Sequence, residues 1–145
     1  MQATKNSKPV GSITTKISLS GQTFDPDLFS EIACAKPTKI WYQQNALLKN
    51  DPKFAQIEWR YELRKSPHWS IDDAIQEILD LFEPRRNEIV AFAKKHNCHL
   101  HLSCRIFGDE TVVIYQIERP TIERLAAFGC ELSFTVESAL TITEK

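Results

Sequence analysis

Ile13, Thr15, Ile17 and Leu19 alternate with Thr14, Lys16, Ser18 and Ser20, and a period of two predicts a strand with one buried face. The same alternation recurs at Ile57, Trp59, Tyr61 and Leu63, then at Cys98, Leu100, Leu102, Cys104 and Ile106, and finally at Cys130, Leu132, Phe134 and Val136. Lys39 to Tyr42 reads as a shorter extended segment, and Gln43 to Gln56, which holds Asn50-Asp51-Pro52, reads mostly as loop. Gly108-Asp109 predicts a turn that brings Thr111 to Ile117 back as the hairpin partner of the strand before it.

Between these stretches the apolar period lengthens. Asp25 can cap a helix, Pro26 suits its first turn and Asp27 its positive end; this helix carries Leu28, Phe29, Ile32 and Ala33 and stops before Pro37. Ser70 caps a second helix with Asp72 and Asp73 in its first turn and Ile71, Ala74, Ile75, Ile78, Leu79 and Phe82 on one face. Pro84 interrupts that stripe, and Ile89, Val90 and Ala93 resume it, so the segment to about Asn97 is one kinked helix or two in succession. Pro120 opens a short helix with Ile122, Leu125 and Ala126, which Gly129 is placed to end. The order predicts a single α+β domain over 13–137, with a mostly antiparallel sheet, helices packed on one face, and a ferredoxin-like or related α/β sandwich architecture. Residues 1–12 read as a flexible polar arm and 138–145 as a frayed tail.

The segments Ile17 to Gly21, Phe24 to Asp27, Pro37 to Trp41, Ser70 to Pro84 and Ile122 to Phe134 together resemble the bacterial family called domain of unknown function 4279. The resemblance runs over about residues 13 to 136. Members tend to carry a glycine soon after the tryptophan, where this chain has Tyr42-Gln43-Gln44-Asn45. Because the family has no assigned reaction, the resemblance implies a fold and brings no activity with it.

Composition narrows the partners. Lys and Arg total 18 against 19 Asp and Glu, a formal charge of -1, which lacks the positive field that nucleic-acid binding draws on. The same balance gives no reason to expect a membrane surface. Met1 to Ser12 has no apolar core of a signal peptide, and runs such as Ile89 to Ala93 fall far short of the roughly 20 residues needed to span a bilayer. Cys34, Cys98, Cys104 and Cys130 form no Cys-x-x-Cys pair and sit in or beside apolar-periodic positions. Buried free thiols in a reducing, cytoplasmic compartment follow.

Few residues suggest chemistry. His99 and His101 share a strand face about 6.6 Å apart, within reach of one metal ion, but neither His68 nor His96 is placed by spacing to complete a site. The cysteines and serines lack a nucleophile elbow, and the pairs Asp72-Asp73, Asp25/Asp27 and Asp109-Glu110 fall where capping and turns explain them. No catalytic residue and no cofactor is therefore assigned. Trp41, Tyr42, His68 and Trp69 lie near element ends, beside Pro37 and Pro67, where aromatic residues anchor partners or line pockets. Arg85-Arg86 reads as a solvated pair at a helix junction.

These observations predict a non-enzymatic protein-binding module, in its most concrete form an immunity protein that neutralises a toxin, its partner being that toxin or the product of a neighbouring gene. The alternative is a small-molecule or metal-binding, or hydrolytic, domain with a pocket near Trp41, His68 and Trp69. An uncovered strand edge would also admit a second copy of the chain.

Overall fold

Every alternating stretch named above enters one sheet. The computed structural model describes residues 12–44, 55–63, 70–107 and 116–137. In chain order these form β1 (Ser12–Gly21), α1 (Pro26–Ala33), β2 (Lys39–Gln44), β3 (Ala55–Leu63), α2 (Ile71–Phe82), a 3-10 turn (Glu83–Arg85), α3 (Arg86–Lys95), β4 (His99–Phe107), α4 (Arg119–Phe128) and β5 (Cys130–Glu137). The sheet order is β2-β3-β1-β4-β5. The first four strands pair antiparallel, β2 with β3, β3 with β1 and β1 with β4, in the split β-α-β-β-α-β arrangement of ferredoxin-like folds. The fifth extends the sheet by pairing parallel to β4, and α4 supplies the crossover that a parallel pair needs.

Local chemistry sets the element ends. Asp25 accepts from the amides of Asp27 (3.0 Å) and Leu28 (3.4 Å), and Ser70 accepts from that of Asp73 (3.4 Å), so both predicted caps are made. Pro84 cannot donate to the helix ladder, and the chain passes through the 3-10 turn there before α3 begins. Gly129 ends α4 at φ 70°, a left-handed conformation that costs glycine nothing. Gly21 serves a different need: a Cβ there would stand 2.7 Å from Cys98 Sγ.

Among the described residues the helices cover one face of the sheet. Ile13, Ile17 and Leu19 of β1, Trp59 of β3 and Leu100, Leu102, Cys104 and Ile106 of β4 join Phe29, Ile75, Ile78, Leu79, Phe82, Phe92, Leu125 and Phe128 from the helices in one core cluster. Aromatic rings run through it edge to face, Phe29 on Trp59 at 4.8 Å and Tyr61 on Phe82 at 5.3 Å between centroids. The Trp59 indole N–H is satisfied inside this core by the Ser30 hydroxyl at 2.9 Å. Asp72, with 4% of its surface exposed, ties two distant segments together: it accepts from the Glu118 amide at 2.9 Å and from Gln76 Nε2 at 2.7 Å. Burial by itself would raise its pKa. The Glu118 amide, the Thr121 hydroxyl beside it and the Gln76 amide outweigh that effect and hold it below the ordinary 3.8.

Five expectations change. Residues 111–115 of the predicted hairpin strand lie outside the described residues, and Gln116 to Glu118 form no regular element. Both edges of β4 are occupied, one by β1 and the other by β5. Cys98 precedes β4 instead of starting it, packed beneath Gly21. Cys34 is exposed, since it terminates α1 in the left-handed conformation at φ 55° and so points away from the helix's buried side. Arg85 and Arg86 are not simply solvated: Arg85 Nε donates to the Ile32 carbonyl at 2.9 Å, tying the helix junction to α1, and Arg86 pairs with Glu83 at 2.6 Å. Asp72 likewise does more than sit in a first turn, as its tie to Glu118 shows.

Candidate functional site

The period of two that buries one side of each strand sends the alternate residues to the other side, and no described element covers them. Register places Lys39, Arg60, Ser18, His101 and Glu131 in one row across the five strands. The next row holds Glu62, Lys16, Ser103 and Ser133. A trough of about 380 Å³ lies in the middle of this open face. Lys16, Ser18 and Ser20 of β1 run along it, with Trp41, Gln56 and Glu58 on the β2–β3 side and His101, Ser103, Ser133 and Thr135 on the β4–β5 side.

Three arrangements within the trough matter chemically. At the β2 edge Trp41 carries two cations over its ring, Lys39 Nζ at 4.6 Å and Arg60 Cζ at 5.3 Å from the centroid. Arg60 also approaches Glu58, at 3.4 Å, so that carboxylate is balanced. At the β5 side, His101 Nε2 and Ser133 Oγ are 2.8 Å apart and hydrogen-bonded, and Glu131 Oε1 stands 3.7 Å from His101 Nδ1. Between them Ser18 is 6% exposed, and its hydroxyl meets no side-chain partner among the described residues.

The Ser133–His101 pair has the spacing of a nucleophile and its base, but its surroundings do not complete that chemistry. Glu131 is 73% exposed and beyond hydrogen-bond distance from the ring. Ladder geometry also turns the strand N–H groups into the plane of the sheet, so none points from the face at a developing oxyanion. The pair fixes the imidazole and orients the Ser133 hydroxyl. The thiols supply no nucleophile from within: burial pushes Cys104 and Cys130 up to about 12 and raises Cys98 as well, so all three stay protonated near neutrality.

The residues singled out in the sequence separate in space. Trp41 enters the trough, whereas Tyr42, the next residue on the same strand, takes the opposite side at the sheet edge and is 72% exposed. His68 and Trp69 lie outside the described residues. His99 and His101 do share the open side of β4, but His101 lines the trough while His99 lines a separate depression beside Lys94 and Glu131. Among the described residues no group of three or more His, Cys, Asp and Glu side chains could hold a metal ion. Lys16, Ser18, Ser103 and Ser133 were not among the sequence candidates. Their only signal was that they occupy the polar alternates of three strands, a pattern that solvated positions share.

No helix among the described residues is long and apolar enough to cross a membrane. No curated protein and no solved structure matches the chain. A family model does match, over residues 12–139, which takes in every strand and helix among the described residues. Its description is Domain of unknown function (DUF4279), and the chain belongs to that family.

Proposed function

We propose that this protein is a non-enzymatic, cytoplasmic binding module whose working surface is the open face of its sheet. The observation that carries this reading is the trough itself, which crosses the middle of the open face and is bordered by Ser18, a central-strand residue whose hydroxyl has no side-chain partner among the described residues. That hydroxyl opens on the trough, where water meets it in the free protein and a bound ligand would take the water's place. The face is also polar and patterned in charge, with cations at the β2 edge and hydroxyl groups at its centre. An immunity protein that captures a toxin is the concrete form of this module in which the occupant is a protein.

Site-specific photo-crosslinking in the native host tests it. A photoreactive residue replacing Arg105, exposed on the open face, is expected to capture a discrete partner, and one replacing Glu123, exposed on α4, is expected to capture none. Crosslinks that arise only from the Glu123 position would overturn the assignment of the face. The trough favours a second reading, a small molecule as the occupant, since its volume lies within the range of about 300–1,000 Å³ usual for such sites.

A further inference from the structure

We infer that the Lys16 end of the trough is an oxyanion site, built to hold the phosphate or carboxylate group of a small molecule. The inference rests on the open face being the working surface and names what that surface takes. Lys16 projects from the central strand into the trough and forms no ion pair among the described residues. Its cross-strand neighbour Glu62 has an interaction of its own and does not line the trough. Of the other described carboxylates on the open face, Glu58 is balanced by Arg60, and Glu131 stands 73% exposed against His101. Among the described residues Lys16 is thus a positive charge without an ion pair in a partly enclosed place.

Hydroxyl groups line the same trough. Ser103 is the cross-strand neighbour of Lys16, and Ser133 is the neighbour of Ser103 on the far side. Ser18 follows two residues along β1, on the same face, with its hydroxyl unpartnered. Each can donate one hydrogen bond to an anionic oxygen. With the proton on Nε2, His101 donates to Ser133 Oγ and leaves the Ser133 hydroxyl proton free for the ligand. A cation with several convergent O–H donors matches the lone pairs of an oxyanion, and hydrogen bonds to a charged acceptor are about twice as strong as neutral ones. The remainder of the ligand would extend toward Trp41, which walls the other end of the trough.

The test uses the full chain and two probes, inorganic phosphate and acetate, with sodium chloride at matched ionic strength as the control. Backbone amide NMR shifts at Ser18, Ser103 and Ser133 are expected to move saturably with at least one probe and to stay in place with chloride. Saturation by phosphate alone assigns a phosphate ester, and saturation by acetate assigns a carboxylate. Lys16→Met is expected to weaken the binding about tenfold, the loss of one charge-assisted contact. Ser103→Ala, which keeps the charge, is expected to weaken it about threefold. It decides the matter if Lys16→Met fails to fold. The inference is overturned if neither anion saturates, or if binding survives unchanged in these variants. Should the anions fail while a photoreactive residue at position 105 still captures a partner, the oxyanion site falls and the assignment of the open face stands.

Discussion

The two faces of β1 are built from the same ten residues and meet opposite requirements. Ile13, Thr15, Ile17 and Leu19 face four helices and are each at most 3% exposed. Thr14, Lys16, Ser18 and Ser20 face a side that no described element covers, yet Ser18 is almost as hidden as the core residues. On the covered side burial comes from apolar packing, which is why that side carries the stability of the fold. On the open side it comes from neighbouring polar side chains crowding the middle of a five-stranded sheet. Stability and the candidate binding surface thereby lie on opposite faces of one sheet, so that variants of either face test the other's independence.

The largest expected effect is on the covered side. Leu102 is fully buried at the centre of β4, and Leu102→Ala should cost about 3 kcal/mol through lost transfer energy and the cavity left behind. Ser103→Ala, the next residue on the opposite face, should change stability by less than about 0.5 kcal/mol. Urea unfolding of the two variants measures both, and comparable losses would mean that the open face also carries the fold.

Asp72 comes next, because it belongs to the covered side and is charged. Asp72→Asn should cost about 2 kcal/mol near neutrality, since hydrogen bonds to the Glu118 amide and to Gln76 lose their ionic acceptor. The sign of the pH dependence follows from its lowered pKa. The native carboxylate stays ionised where the unfolded one takes up a proton, so its contribution is complete above the ordinary 3.8 and fades as the pH falls through the lower native value. Unfolding curves taken from neutral pH down through that acid range should converge for wild type and Asp72→Asn, and curves that stay parallel would refute the tie.

What could be read from the chain divides along the same faces. The core side was legible because its signal is local: alternation at 57–63 or 130–136 and the 3.6 period after Ser70 each identify an element without reference to any other. The oxyanion site was not, because Lys16, Ser103 and Ser133 come together only through the β1–β4 and β4–β5 registers. The second of those is the parallel pairing that the Gly108-Asp109 turn signal argued against, by offering β4 a hairpin partner instead. Asp72 was obscured for the same reason. Its position in a helix's first turn has a sufficient local explanation, while its partner, the Glu118 amide, is brought to it only by tertiary packing. Trp41 was legible as an aromatic near an element end, but its cover of two cations depends on β2 lying beside β3.

The smallest effects discriminate most sharply, because they compare two hydroxyls on one strand. Thr15 Oγ1 is buried on the covered side without a partner, and Thr15→Val replaces it with a methyl group of nearly the same shape. Removing an unsatisfied buried polar atom in this way should stabilise the protein by about 1 kcal/mol, seen as a raised melting temperature. Ser18 also lacks a side-chain partner, but it borders the trough, where water reaches it in the free protein. Ser18→Ala should therefore shift stability by less than about 0.5 kcal/mol in either direction. Its effect should appear only when the trough is filled, as a weaker response to phosphate or acetate than wild type gives. If Ser18→Ala instead stabilised the protein as much as Thr15→Val, the hydroxyl would be a dry orphan like its neighbour across the sheet, and water and ligand alike would have no access to it.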